Sequence, residues 1–395
     1  MNIVIIANFS ANLDGSSMGR FTYLGEMLSA RGHDVRILTS SFDHGEKTQR
    51  SKVWDKFKSK ICLLYEPGYP NNVCLKRFYS HYIWGCNVKK YLDALAVKPD
   101  VVYCALPSLT AAVKTANYCR KNNVKFIVDI QDLWPESFAM VLKYSILSLF
   151  LKPFEWYVNK AYSAADVVVA VSDTYIKRCL AVNRQAKDYV SVFLGNDGDE
   201  FDKGKKKYSI SHSKNEVWLA YIGTLGYSYD IPCVIDAVSM AAKHMPKDMQ
   251  LKFVVMGDGP LRQNFERYAK EKSIYCEFMG KLPYLQMVGV LSSCDIAINP
   301  IIKGSAASII NKVGDYALAG LPVINTQECL EYRELVDAYQ CGINCEVGNV
   351  VEVSNAIVDL VSNVLLRRKM GENSRKLGLE KFDKRETYKA IVNLF

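Results

Sequence analysis

The chain is predicted to be an α/β protein of two doubly wound, Rossmann-like domains, and three observations predict it. Short apolar runs such as Ile3-Val4-Ile5-Ile6-Ala7 alternate with helical patterns along most of the sequence, as they do where helices cross over a parallel sheet. At 395 residues the chain is long for a single core. Lys203 to Ser213 is polar and lysine-rich and reads as the linker. The predicted division is an N-terminal domain over 1–200, a C-terminal domain over 215–380, and a helix at 381–395 returning to the first domain.

The net charge of +9 favours anionic partners: sugar nucleotides, lipid diphosphates or an anionic membrane surface. The twelve cysteines form no C-x-x-C pair, and many lie in apolar runs, so they read as reduced thiols of a cytoplasmic protein rather than metal ligands. Met1 to Ala7 has no basic flank, so a first strand is expected there and not a signal peptide. No apolar run reaches the roughly 18 residues that span a bilayer, so a soluble or membrane-peripheral protein is expected.

Ile3 to Ala7 is the first strand, and Asn8 to Gly19 a loop rich in Asn, Ser and Gly. A helix over 20–31 ends at Gly32 and leads into strand 34–39. The loop carries Gly15 and Gly19 but no G-x-G-x-x-G, so it allows a close approach to a ligand or acceptor, or is a plain turn. Residues 43–76 are irregular apart from an apolar run at 61–65. A helix at 77–96, a strand at 101–104, a helix at 109–121 and a strand at 125–129 follow. The polar, aromatic segment Asp129-Ile130-Gln131-Asp132-Leu133-Trp134-Pro135-Glu136-Ser137 then leaves the carboxyl end of a parallel strand, where such sheets bind ligands. The alternative is that Asp132 and Glu136 only cap the next helix. Residues 138–165 are helical, rich in aromatic residues and punctuated by Lys143, Lys152 and Lys160; they suit an anionic bilayer surface or a helix buried between layers. Strand 166–172, a helix near 174–183 and strand 189–193 complete the domain.

The second domain begins with strand 218–222, followed by Gly223-Thr224-Leu225-Gly226-Tyr227. Strand 251–256 leads into Gly257-Asp258-Gly259-Pro260, and strand 275–279 into Gly280-Lys281. Three glycine turns on one rim can bring backbone amides to a common ligand. Strand 295–300 precedes Ser305-Ala306-Ala307-Ser308, and Ser308 reads as the N-cap of a helix that stops at Gly320. Lys312 and Asp315 then share a face with Ser308. Helix-end amides and a lysine suit a diphosphate, and a carboxylate suits ribose hydroxyls. An ordinary surface helix is the alternative.

Taken together, Asp129 to Ser137 resembles an "RDLWPES"-like segment, and Lys312-x-x-Asp315-Tyr316-x-x-x-Gly320-x-Pro322-Val323 resembles a "K-x-x-E-Y-x-A-x-G-x-P-V" segment, of the retaining glycosyltransferases of the two-Rossmann-domain (GT-B) type, family 4. Within that group the chain is most similar to the branch that builds bacterial O-antigen or capsule. The resemblance implies an active site in the cleft between the domains and retaining transfer, with the leaving diphosphate taking the acceptor proton. It implies no cofactor and no metal. Asp315 takes the place of the second carboxylate of E-x7-E, which holds the ribose. The first falls at Ala307, so backbone amides of Ser305, Ala306, Ala307 and Ser308 would meet the donor sugar. The Arg/Lys pair of the family falls at Thr224 and Tyr229, and Lys312 replaces that charge.

The implied catalytic residues are Lys312, Asp132 and Arg20. The donor site is Gly223, Thr224, Gly226, Tyr227, Gly257, Lys281 and 305–308 with Lys312 and Asp315. The acceptor side is Gly15, Gly19, Asp129, Gln131 and Trp134. The implied partners are a nucleotide-sugar donor, of UDP-hexose or UDP-N-acetylhexosamine type, and a lipid-diphosphate-linked saccharide at the cytoplasmic face of the inner membrane; no nucleic acid is expected. A nucleotide-sugar 2-epimerase of the same architecture and a non-catalytic nucleotide-binding protein are the alternatives.

Overall fold

The computed structural model describes residues 1–10, 13, 18–50, 53, 55–72, 74–134, 145–304 and 309–395. The chain folds as two units, Met1–Val192 with Tyr388–Phe395, and Phe193–Thr387.

The first unit is built on seven strands, all paired in parallel: β1 (Asn2–Ile6), β2 (Asp34–Ser40), β5 (Lys60–Leu64), β6 (Val101–Leu106), β7 (Lys125–Ile130), β8 (Val167–Ala170) and β9 (Asp188–Ser191). Their spatial order is β5-β2-β1-β6-β7-β8-β9, so the direction of winding reverses between β1 and β6. A short antiparallel pair, β3 (Phe42–Asp43) and β4 (Thr48–Gln49), follows β2. The apolar run noted at 61–65 supplies the edge strand β5. Helices α1 (Arg20–Ala30), α2 (Leu75–Asp93), α3 (Leu109–Asn122), α4 (Ser145–Tyr162) and α5 (Asp173–Leu180) cover the faces. β6 and β8 are buried along their whole length, as strands covered on both faces must be.

The second unit opens with α6 (Gly198–Tyr208), which occupies much of the expected linker. The correction has a local cause. Asp197 accepts hydrogen bonds from the amides of Asp199 and Glu200, acids fill the first turn and Lys205, Lys206 and Lys207 the last, all favourable to the helix dipole. Phe201 is buried, so the lysines mark only the solvated face of an amphipathic helix. A parallel sheet follows in the order β12-β11-β10-β13-β14-β15. Its strands are β10 (Glu216–Ile222), β11 (Gln250–Met256), β12 (Cys276–Gly280), β13 (Ile296–Asn299), β14 (Val323–Asn325) and β15 (Gly342–Asn344). Its winding reverses between β10 and β13. Apolar clusters fill both faces, one around Val234, Phe253 and Ile357, the other around Phe201, Tyr316 and Tyr332. The unit's helices include α7 (Ile231–Ala241), α9 (Tyr284–Leu291) and α10 (Lys312–Ala319), and α14 (Lys384–Val392) runs on into the first unit. Two doubly wound parallel sheets are what the alternation of strand and helix patterns predicts. Among the described residues no helix is long and apolar enough to cross a membrane.

Candidate functional site

In a doubly wound sheet ligands bind outside the carboxyl ends of the strands where the winding reverses. In the second unit that point lies between β10 and β13, which pair only at Leu219 with Ile296 and Ala220 with Ala297. Beyond those pairs the Tyr316 hydroxyl donates to the Ile298 carbonyl at 3.0 Å and accepts from the Ile222 amide at 3.1 Å. It satisfies both backbone groups and so closes the crevice floor.

Lys312 is the first residue of α10, and Gly320 ends that helix in the left-handed conformation, φ 74°. The helix therefore begins later than the Ser308 cap would place it; Ser305 to Ser308, and Gly15, lie outside the described residues. All eight residues of α10 are buried, which removes the surface-helix alternative. Lys312 Nζ lies 3.8 Å from the ring centroid of Tyr229 and 4.1 Å from that of Tyr221. Among the described residues the Nζ has no hydrogen-bond partner. Burial holds its pKa well below the usual lysine value. Two ring faces supply attraction, but an ammonium without an acceptor is still costly to bury. Tyr229 stands where the resemblance expects a cation, so at this crevice an aromatic ring meets the lysine.

The glycine turns bear on the same place. A Cβ on Gly223, whose φ is +123°, would sit 3.0 Å from Lys312 Nζ, so the bare glycine leaves room for the lysine head group against the backbone. A Cβ on Gly257 would lie 1.8 Å from the Gly223 carbonyl oxygen; glycine there is what lets the two turns touch. Thr224 is exposed, and its carbonyl accepts the Tyr221 hydroxyl at 2.7 Å. Gly226 is buried, whereas Tyr227 and Lys281 are exposed.

Asp315, three residues beyond Lys312, is buried and accepts hydrogen bonds on Oδ1 from Asn196 Nδ2 at 2.9 Å and the Tyr284 hydroxyl at 3.0 Å. Burial pushes its pKa up to about 7, against the opposing pull of the Tyr284 hydrogen bond and of Lys384. Asn196 and Tyr284 have no spacing relation to Asp315 and were not legible in sequence. The folded carboxyl thus titrates well above its ordinary 3.8, and the stability it contributes is complete below about pH 4 and lost as pH rises through 7. Asp315→Asn, neutral throughout, is expected to flatten the decline in unfolding free energy between pH 4 and 8, measured by chemical denaturation. An unchanged decline would assign the slope to other groups.

In the first unit Arg20, on the first turn of α1, and Asp129, at the end of β7, form a buried bidentate pair. Arg20 Nε donates to Oδ2 at 2.8 Å and Nη2 to Oδ1 at 3.2 Å. Arg20 Nη1 also reaches the Val192 carbonyl and the Tyr388 hydroxyl of α14. Gln131 Nε2 donates to the same Asp129 carboxylate at 3.3 Å. Asp132 accepts from Trp134 Nε1 at 3.0 Å, which turns the indole inward, 6 % exposed. Gly19 is the N-cap of α1, and its carbonyl accepts from the Thr22 hydroxyl.

The chain matches the family description "Glycosyltransferase Family 4" over residues 20–192 and "Glycosyl transferases group 1" over residues 216–363. It is 24% identical over 241 residues to an uncharacterized glycosyltransferase of Methanocaldococcus jannaschii, 59% of each chain. It is 27% identical over 225 residues to the N-acetyl-alpha-D-glucosaminyl L-malate synthase of Bacillus anthracis, 55% of this chain and 56% of that one. The matches thus span less than two thirds of these curated relatives. In fold it is similar to HepE of Anabaena, solved in complex with UDP, at a TM-score of 0.67 and 14% identity over 100% of this chain and 99% of HepE. That fold is the GT-B type.

Proposed function

Because the chain belongs to the glycosyltransferases, with a family 4 domain over residues 20–192 and a group 1 domain over residues 216–363, we propose that it transfers a sugar, with retention, from a nucleotide-sugar donor bound at Lys312. The observation that carries the reading is the buried Lys312 ammonium, without a hydrogen-bond partner among the described residues, at the switch point of the second sheet. A donor diphosphate supplies the missing acceptor, and the lysine then stabilises the negative charge that builds up as the sugar leaves. Asp315 holds the ribose, and Asp315→Asn weakens UDP binding by about 1–3 kcal/mol if a charge-assisted bond is lost. UDP is preferred on the likeness to HepE, whose structure holds it. The reading needs no metal, since lysine and backbone amides meet the diphosphate. Asp132 and Trp134 belong to the acceptor side, and Arg20 acts by holding Asp129 and the end of β7.

The acceptor in this reading is a lipid-diphosphate-linked saccharide of O-antigen or capsule type, met at the cytoplasmic face of the membrane. Support comes from an exposed patch of the first unit. Leu75, Phe78, Tyr79 and Tyr82 form one outward stripe on α2, at 87%, 41%, 58% and 52% exposure, and Phe154 of α4 meets Phe78 at 5.9 Å between centroids. Trp156 is 63% exposed with Lys160 Nζ 3.4 Å above its ring, and Lys152 is exposed nearby in sequence. Aromatic rings edged by lysines suit an anionic bilayer interface. Lys143 lies outside the described residues. Wild type is expected to float with anionic liposomes, and a Lys152→Glu, Lys160→Glu variant to remain largely in solution. Equal flotation of the two would reject this surface.

Product analysis with a UDP-sugar, with and without a lipid-linked acceptor, tests the reaction. A glycosylated product formed only with acceptor supports transfer. An epimerised sugar nucleotide without acceptor replaces it by the 2-epimerase reading, and neither product by a nucleotide-binding protein.

A further inference from the structure

The carboxyl ends of the first sheet carry a second group of cations that the donor reading does not use. Arg77 of α2 lies with its Cζ 4.7 Å from the Trp134 ring centroid and 5.6 Å from that of Tyr69. Lys47, in the β3–β4 turn, sits 5.1 Å over the same Tyr69 ring and donates to Asn72 Oδ1 at 2.6 Å. His44 Nδ1 is 2.6 Å from the Tyr69 hydroxyl, and His81 stacks on Trp134 at 6.0 Å.

Among the described residues no carboxylate is in ion-pair contact with either Lys47 or Arg77, and Arg77 Nε and His81 Nε2 have no hydrogen-bond partner. Asp43, next to His44, is turned to Arg50 at 3.1 Å. Glu66 is buried, accepts the Ser80 hydroxyl at 2.8 Å and stands 4.0 Å from His81 Nε2; burial raises its pKa, against the opposing pull of its hydrogen bonds and of Arg77. Burial, then Lys47 and Arg77, lowers the His44 pKa to about 4 despite the opposing pull of Asp43. Burial, then Arg77 and His44, lowers that of His81 to about 3. Two half-exposed cations walled by aromatic rings and neutral imidazoles form a site short of negative charge, beside the segment that ends in Trp134.

We propose that Lys47 and Arg77, backed by Tyr69, His44 and Trp134, bind an oxyanion carried by the acceptor, a phosphate or a carboxylate. The inference rests on the transferase reading for the word acceptor; the anion site itself does not. Lys47 Nζ donates to the His44 carbonyl as well as to Asn72, and Arg77 Nη1 to the Asn72 carbonyl, so a bound oxyanion takes the unpartnered Arg77 Nε and the charge of Lys47, and lies against ring edges.

The test uses the full chain saturated with UDP, which occupies the donor site, and isothermal titration with pyrophosphate, inorganic phosphate and succinate. Lys47 has φ 58°, where asparagine is well tolerated, so Lys47→Asn removes the charge without new backbone strain. Wild type is expected to bind at least one anion, and Lys47→Asn and Arg77→Gln each to weaken it by about tenfold or more while UDP affinity stays unchanged. In wild type, anion saturation should also raise the His44 imidazole pKa followed by NMR, a readout that a purely structural cluster would not move. Binding of the phosphates alone assigns a phosphorylated acceptor, and binding of succinate a carboxylate. No anion binding, or equal binding by wild type and both variants, overturns the proposal. Failure of UDP to bind while the anion effect persists would reject the donor reading and leave this site standing.

Discussion

Lys312→Ala is expected to lower turnover with a UDP-sugar by more than about 100-fold while the protein stays folded, because the proposed reaction loses its main cation at the leaving diphosphate. The geometry makes the expectation two-sided. Lys312 Nζ is held between the Tyr221 and Tyr229 rings with no hydrogen-bond partner among the described residues, and its pKa is depressed by burial. Such a group costs free energy in the unliganded fold, so its removal should leave stability to denaturant unchanged or raised. A site kept at the expense of stability has this signature. Activity within a few-fold of wild type would sink the catalytic role. A large loss of both activity and stability would instead mark the lysine as part of the packing.

Arg20→Ala is expected to cost about 3–5 kcal/mol of stability, the usual consequence of leaving one member of a buried ion pair without the other. Asp129 is fully buried and takes two hydrogen bonds from this guanidinium, which also reaches Val192 and Tyr388. These contacts tie α1, the end of β7, the end of the first unit's contiguous chain and the returning α14 together. Replacing both partners, as in Arg20→Met with Asp129→Leu, should recover much of the loss, because no orphaned charge remains. Denaturant unfolding of the two variants checks this. A single variant as stable as wild type but inactive would show that Arg20 acts in the reaction and not in holding the strand end.

The architecture was legible because its signals are local. Apolar runs such as Ile3 to Ala7 and Phe253 to Met256 have the length and β-branched content of strands buried on both faces, and the helical patterns between them fit parallel crossovers. The lysines of α6 misled for a related reason: composition records the solvated face of a helix but not Phe201, which anchors its other face. The stretch Lys312 to Val323 was likewise readable, since glycine at 320 ends the helix by its own backbone preference.

The sequence by itself determined two doubly wound parallel sheets and the Lys312–Asp315 stretch at the rim of the second, because periodicity, caps and turns are properties of neighbouring residues. Which charges are neutralised and which left open only the tertiary structure decided. Arg20 meets Asp129 across 109 positions and Asp315 meets Asn196 across 119, while Lys312 Nζ lies against two tyrosine rings with no hydrogen-bond partner among the described residues, and Lys47 and Arg77 converge on Tyr69 from a hairpin and a helix. Such pairings follow from how strand ends and crossovers pack in space, and the free energy of a buried charge depends on that packing rather than on its position along the chain.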